Sequence, residues 1–252
     1  MKKLKFITAL ILVVAMTAVM AVSSFAASYD WNILNVDYSS SADLEKAKMQ
    51  EGASYSVKDG VLRMNKTGAN QDHYFEFAEM KTTGKVVIST KFRTNSMNMA
   101  LRVNGANNSL KFNICTNGIG NLFIKGSANT VAENVWDEQW HELLVVIDLD
   151  AKTIVLTVDG GEPFNGTFEN HSQSGSVDGV ARVFWHVNSQ ASENGYLDVD
   201  YFRISDGKAA SSSDSGSSDS GNADTSDPAI LSAVALVIGG TAAIVVAKKR
   251  RR

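Results

Sequence analysis

The sequence predicts an all-β fold, a two-sheet antiparallel sandwich, from three observations. Its middle is a succession of short runs in which apolar and polar side chains alternate. Gly, Asn and Asp punctuate those runs at spacings suited to tight turns. A helical pattern is confined to 42–49, with Ser41 as a candidate N-cap and Asp43 and Glu45 in the first turn. The clearest strand runs are 61–64, 73–77, 85–93, 97–104, 109–116, 121–125, 140–148, 153–159, 180–187 and 196–204. Turn chemistry joins several into hairpins through Thr94-Asn95-Ser96, Gly105-Ala106-Asn107-Asn108, Asn117-Gly118-Ile119-Gly120 and Leu149-Asp150-Ala151-Lys152. Every residue of 143–147 is apolar, which predicts a central strand covered on both faces. No repeat of solenoid or propeller period is visible.

The flanks are of a different kind. Residues 1–26 combine Lys2, Lys3 and Lys5, an apolar run and small residues at Ser24 and Ala26, the layout of a secretory signal peptide. Residues 28–208 hold the sandwich. Residues 209–228 are almost wholly Ser, Asp, Gly, Asn and Ala, and cannot bury enough apolar surface to offset chain entropy. They predict a disordered tether reaching about 25 Å. Residues 229–247 carry no charge and, as a helix, would span about 28 Å, close to the thickness of a bilayer core. Residues 248–252 are all basic and predict a cytoplasmic tail. The expected product is therefore exported and single-pass, held at the cell surface.

Charge counts by compartment. The whole chain carries 24 basic and 27 acidic side chains; without the three leader lysines and five tail cations, 16 basic face 27 acidic, a net −11 outside the cell. That balance excludes a general nucleic-acid binder. The single cysteine, Cys115, falls in a strand pattern and reads as a small buried thiol.

Three strings resemble the concanavalin A-like, laminin G-type jelly rolls: Ser56-Val57-Lys58-Asp59-Gly60-Val61-Leu62; the pair from Trp140-His141-Glu142-Leu143 to Thr157-Val158-Asp159-Gly160; and Asp198-Val199-Asp200-Tyr201-Phe202-Arg203-Ile204. The resemblance implies a jelly-roll sandwich of the kind shared by lectins, adhesive modules, carbohydrate-binding modules and glycan-active enzymes, and does not choose among them. Before the apolar span, Asn222-Ala223-Asp224-Thr225-Ser226-Asp227 resembles a degenerate form of the sorting motifs of Gram-positive surface proteins, without their Pro and Gly. Membrane retention is therefore favoured over covalent wall attachment.

Enzyme motifs are absent. There is no Gly-x-Ser-x-Gly elbow, no His-Glu-x-x-His, no phosphate loop and no Cys/His cluster. The Glu-x-Asp-x-(x)-Glu string of glucanases on this fold is missing as well. Asp198 and Asp200 read as surface carboxylates on one face of the last strand, offering hard oxygen ligands to a Ca2+ ion. No other cofactor is implied. Trp185, alternating with Val183 and Val187, and Trp140, at the head of the central strand, are assigned to the core. Tyr29, Trp31 and Trp136, near loops or ends, are freer to stack on sugars.

Alternation also predicts a binding face. In 85–93 it sets Lys91 and Arg93 opposite Val86, Ile88 and Phe92. In the next runs it sets Arg102 and Asn104, then Lys111 and Asn113, opposite apolar partners; Arg182 and His186 stand opposite Val183, Trp185 and Val187. If hairpins place the first three runs side by side, these eight residues form one strip of Arg, Lys, Asn and His. Guanidinium forks take carboxylates or sulfates bidentately, and amides serve sugar hydroxyls as donor and acceptor. The expected partner is an acidic or hydroxyl-rich glycan, and the expected function is carbohydrate binding or adhesion without catalysis. A glycan hydrolase or lyase, and a structural protein-binding module, are the alternatives.

Overall fold

A computed structural model describes residues 29–126, 129–173 and 177–210. The leader, the span and the basic tail predicted above lie outside these residues, as does the tether beyond its first two positions. Among the described residues no helix is long and apolar enough to cross a membrane.

The alternating runs form two antiparallel sheets. Across the eight-stranded sheet run β13 (Phe164–Thr167), β12 (Thr153–Val158), β11 (His141–Asp148), β6 (Lys85–Thr94), β15 (Tyr196–Ser205), β4 (Val61–Asn65) and β3 (Tyr55–Lys58), with β1 (Leu34–Val36) also paired to β15. The seven-stranded sheet runs β10 (Thr130–Ala132), β9 (Leu122–Ile124), β8 (Leu110–Thr116), β7 (Met99–Asn104), β14 (Val180–Val187), β5 (Gln71–Lys81) and β2 (Lys48–Met49). Tyr29 and Ala209 form an antiparallel bridge, so the two ends of the domain meet.

The core lies between the sheets. Val86, Ile88, Phe92, Leu143, Val145, Ile147, Leu197, Val199 and Phe202 of one sheet face Met99, Leu101, Val103, Phe112, Ile114, Val183, Trp185 and Val187 of the other. Trp185 is 1% exposed, as expected, and lies 5.1 Å from the Phe92 ring. Its indole N–H donates to Thr90 Oγ1 at 3.1 Å, so the one polar atom of the ring is satisfied inside the core.

Several hairpins hold. Asp59 (φ 52°) and Gly60 (φ 74°) both adopt the left-handed conformation needed to join β3 to β4 by a tight turn matched to strand twist. The turns between β7 and β8, β8 and β9, and β11 and β12 join paired strands. Thr94-Asn95-Ser96 does not. It carries the chain from β6 in one sheet to β7 in the other, with Thr94 Oγ1 donating to Tyr196 O at 2.6 Å and accepting from Ser96 N at 3.2 Å.

Three other expectations change. The helix is a single turn, Asp43–Lys46, whose cap position is Ala42 with no side-chain bond; Lys48–Met49 already belongs to β2. A second turn, Phe168–His171, is capped by Thr167, which accepts from Asn170 N. In β11, central as predicted, Leu144 and Val146 are only half-buried, because no further layer covers the outer side of that sheet among the described residues.

Candidate functional site

The change of sheet after β6 divides the predicted strip. Arg102, Asn104, Lys111, Asn113, Arg182 and His186 share the outer face of the seven-stranded sheet. Lys91 and Arg93 are on the outer face of the eight-stranded sheet, on the far side of the core. The strands' inward and outward sets are as alternation predicts except at the start of β8, where a register shift pairs Leu110, expected inward, with outward Asn104; the assignment of β6 to its neighbours also differs.

On the seven-stranded sheet, register sets the rows. Arg182 pairs with Asn104 and with Glu76, and Asp72 with His186. Asp72 is the organising acid: its Oδ1 is 2.7 Å from His186 Nδ1, and its Oδ2 accepts from Arg182 at 3.3 Å. The Arg182 guanidinium also lies over Tyr74 at 3.9 Å and Phe184 at 4.7 Å. Asp72, Tyr74 and Glu76 of β5 were not among the predicted site residues, although their alternation with inward His73 and Phe75 marks them as outward.

Lys111 departs from expectation. It is 4% exposed, its Nζ pairs with Asp178 at 3.0 Å, and its carbonyl accepts from Gln173 N–H. This cation is committed to its ion pair with Asp178. Asn104 is also buried and donates to Asn108 O at 3.1 Å, which ties down the β7–β8 turn.

The remaining members converge on a cavity of about 150 Å³ lined by Asn98, Ala100, Arg102, Asn113, Cys115, Phe123, Lys125, Asn188 and Gln190. Arg102 Nε donates to Asn113 Oδ1 at 3.3 Å, which aims the guanidinium across β8. Among the described residues no carboxylate lies within 4.0 Å of Arg102 or Lys125. Partial burial holds Arg102 below the ordinary guanidinium pKa, with Asp72 opposing that shift, and the side chain remains a cation at any physiological pH. Cys115 at the cavity wall is buried, which raises its thiol to about 11 and leaves it an inert neutral group. The cavity thus offers two cations without acidic partners, four amides and one aromatic ring.

The opposite outer face is ordered differently. Asp198 is fully buried, and both of its oxygens are occupied. Arg63 donates through Nε at 2.6 Å and through its terminal nitrogen at 2.7 Å, and Arg93 Nε donates at 2.7 Å. A bulge between Val199 and Tyr201 interrupts the strand, and Asp200 pairs with Lys91 at 3.0 Å. The expected pair of surface carboxylates is therefore corrected: Asp198 is an internal counter-ion, saturated by guanidinium. No group of three or more His, Cys, Asp or Glu able to hold a metal occurs among the described residues. Trp140 is not in the core. It lies on this outer face, half-buried, with the Arg93 guanidinium 4.7 Å from its ring. Counting back from inward Leu143 assigns it there with Glu142, so the alternation itself carried that signal. Trp136 is pinned over Gly120, where a Cβ would come within 2.0 Å of the indole nitrogen.

Neither a protein-family model nor a curated protein matches the sequence. The fold does match solved structures. A sialidase superposes with a TM-score of 0.56 and 9% identity over 71% of this chain, a region amounting to only 18% of the sialidase chain. The potassium-bound carbohydrate recognition domain of Emp46p superposes with a TM-score of 0.50 and 10% identity, over 71% of this chain and 99% of that one. The domain thus shares the two-sheet antiparallel sandwich of these structures. At these identities the likeness establishes the fold alone.

Proposed function

We propose that the chain is a surface-displayed carbohydrate-binding or adhesive module that acts without catalysis, its glycan seated on the outer face of the seven-stranded sheet. The cavity around Arg102 carries the reading. Arg102 and Lys125 present charge that no carboxylate pairs with at 4.0 Å or less among the described residues, in a domain whose exported part is acidic overall. Asn98, Asn113, Asn188 and Gln190 add amide donors and acceptors, of which Asn98 Nδ2, Asn113 Oδ1 and Asn188 Oδ1 are each bonded within the protein, and Phe123 gives an apolar wall. A volume near that of one sugar ring, open to the sheet face, suits a single anionic or hydroxyl-rich residue of a longer chain.

Binding is favoured over hydrolysis by the spacing of the two acids that β5 brings to this face. Asp72 and Glu76 are four residues apart on β5, about 13 Å at the rise of a strand. Retaining and inverting hydrolysis need carboxyl pairs roughly 5–5.5 Å and 6.5–9.5 Å apart. Export by the N-terminal leader and retention by the C-terminal apolar segment would display the face outside the cell.

A glycan array probed with the full chain in detergent tests this, with and without chelator so that any Ca2+ requirement is read directly. Arg102→Ala is expected to lower affinity for the bound glycan about tenfold or more while the circular dichroism spectrum is unchanged. Turnover of a polysaccharide would overturn the non-catalytic reading. Failure to bind any glycan, with retention of a protein partner, would replace it with a structural role.

A further inference from the structure

The outer face of the eight-stranded sheet holds a second cleft, of about 320 Å³, lined by Ser56, Lys58, Asp59, Val61, Arg63, Arg93 and Asp198. We propose that it is an anion-binding site for a tetrahedral oxyanion, a sulfate or phosphate group. It stands apart from the glycan reading, since the two clefts lie on opposite sides of the core.

Strand register builds the cleft. Ser56 pairs with Arg63, Arg63 with Asp198 and Asp198 with Arg93, so four side chains form one row across β3, β4, β15 and β6. One step along the sheet, Lys58 pairs with Val61, whose short side chain leaves the floor open between Lys58 and the two arginines. Neighbouring strands are about 4.8 Å apart, so the arginines stand roughly 10 Å apart at their backbones and lean inward onto the buried acid between them. Asp198 uses Nε and one terminal nitrogen of Arg63, and only Nε of Arg93. Among the described residues the other guanidinium N–H groups have no acceptor.

Those groups are held in place before any ligand arrives. Arg63 is stacked over Tyr196 at 4.1 Å and Arg93 over Trp140 at 4.7 Å, while Asp198 fixes each fork from below. The Tyr196 hydroxyl donates to Glu138 at 2.9 Å, which secures the ring beneath Arg63. Hydrogen bonding to Asp198 raises Arg63 above the ordinary guanidinium value. Side chains already ordered lose little freedom on binding. Lys58, exposed on the edge strand β3, has no carboxylate within 4.0 Å among the described residues and adds a mobile third cation. The lining carries three cations against Asp59 and Asp198, with Glu138 set back behind the Tyr196 ring. Cations approaching from three strands suit a tetrahedral group with oxygens in several directions better than the planar pair of a carboxylate.

The test measures thermal stabilisation and isothermal titration of the full chain with sodium sulfate and sodium phosphate, against sodium chloride at equal ionic strength, and with a sulfated oligosaccharide. Saturable stabilisation by sulfate beyond that of chloride is expected, because an anion that binds the folded state raises the melting temperature. Lys58→Gln should weaken that binding about tenfold, and Arg93→Gln at least as much, whereas Lys81→Gln, a charge-matched change elsewhere, should not. Since Arg93→Gln also removes a partner of buried Asp198, Lys58→Gln keeps the test clear of misfolding. Equal affinity for inorganic sulfate and the oligosaccharide identifies a free anion; tighter binding of the oligosaccharide identifies a saccharide-borne group; both support the site. No stabilisation beyond chloride overturns it, as does sulfate binding that Lys58→Gln and Arg93→Gln leave unchanged.

Discussion

The two outer faces of the sandwich use the same residue types to opposite ends. On the eight-stranded sheet a buried acid, Asp198, gathers Arg63 and Arg93 into a fixed row stacked on aromatic rings. On the seven-stranded sheet Asp72 does the same for Arg182 and His186, but Arg102 and Lys125 are left beside amides with no acid of their own. A guanidinium locked to a buried carboxylate contributes to the fold. One left among amides contributes little to stability and has its charge available for a partner. Position in a row of polar residues therefore does not set how many of a cation's N–H groups a ligand can use; the nearest carboxylate does.

Removing the acid is the sharpest way to break the contrast. Asp198→Ala leaves two part-buried guanidiniums without their shared counter-ion and should cost about 3 kcal/mol, read as a lower urea midpoint at constant slope. A loss below about 1 kcal/mol would mean that the arginines find solvent easily and the row is not structural.

Between the faces the core carries its own titrating group. His73 is fully buried, its Nε2 is 2.6 Å from the Tyr38 hydroxyl, and burial lowers its pKa to about 4. Because the folded value lies below the unfolded value of 6.5, the unfolded chain binds the proton first as pH falls. The stability held above pH 6.5 is therefore lost between 6.5 and 4, by about 3 kcal/mol at 1.36 kcal/mol per unit. Urea titrations across that window should show the slope, and His73→Gln should flatten it. Arg63 and Arg102 stay cationic across that window, so each cleft should keep a guanidinium charge until the core gives way.

The unpaired cation should behave in the opposite way to the paired ones. Arg102→Ala is expected to change stability by less than about 0.5 kcal/mol, since it removes one amide hydrogen bond and no ion pair. Its effect is reserved for glycan affinity. A large loss of stability would place Arg102 with Arg63 and Arg93 as a structural cation. The smallest change belongs to Lys91→Gln. That side chain and its partner Asp200 are both about a third exposed, and such pairs contribute about 0.5 kcal/mol, screened by salt. Denaturation at low and high salt should show the parent and variant converging.

Much of this was legible in the chain. Alternation gave ten strands, β4 to β9, β11, β12, β14 and β15, and most of the inward and outward sets of β6, β7, β8 and β14, because successive side chains on a strand must point to opposite faces. The short strands β1, β2, β10 and β13, two to four residues each, were not legible, because so few residues carry no usable period. Within the candidate site, Arg102 and Asn113 were identified, while Lys125, Asn188 and Gln190 were missed. The last two follow the end of β14, where no period holds.

Which strands lie side by side is another matter. Thr94-Asn95-Ser96 has the composition of a hairpin turn, yet it crosses from one sheet to the other, and that crossing alone moved Lys91 and Arg93 away from Arg102. Local sequence sets the direction in which each side chain points, through backbone sterics that involve only near neighbours. It determined the all-β class, the polar and apolar sides of each strand and the buried position of Trp185. Partnership between Arg63, Arg93 and Asp198, separated by up to 135 residues, arises only when β4, β6 and β15 pair. Tertiary structure alone decided which cations share a buried carboxylate and which stand without one, because pairing depends on a few ångströms of separation between distant segments.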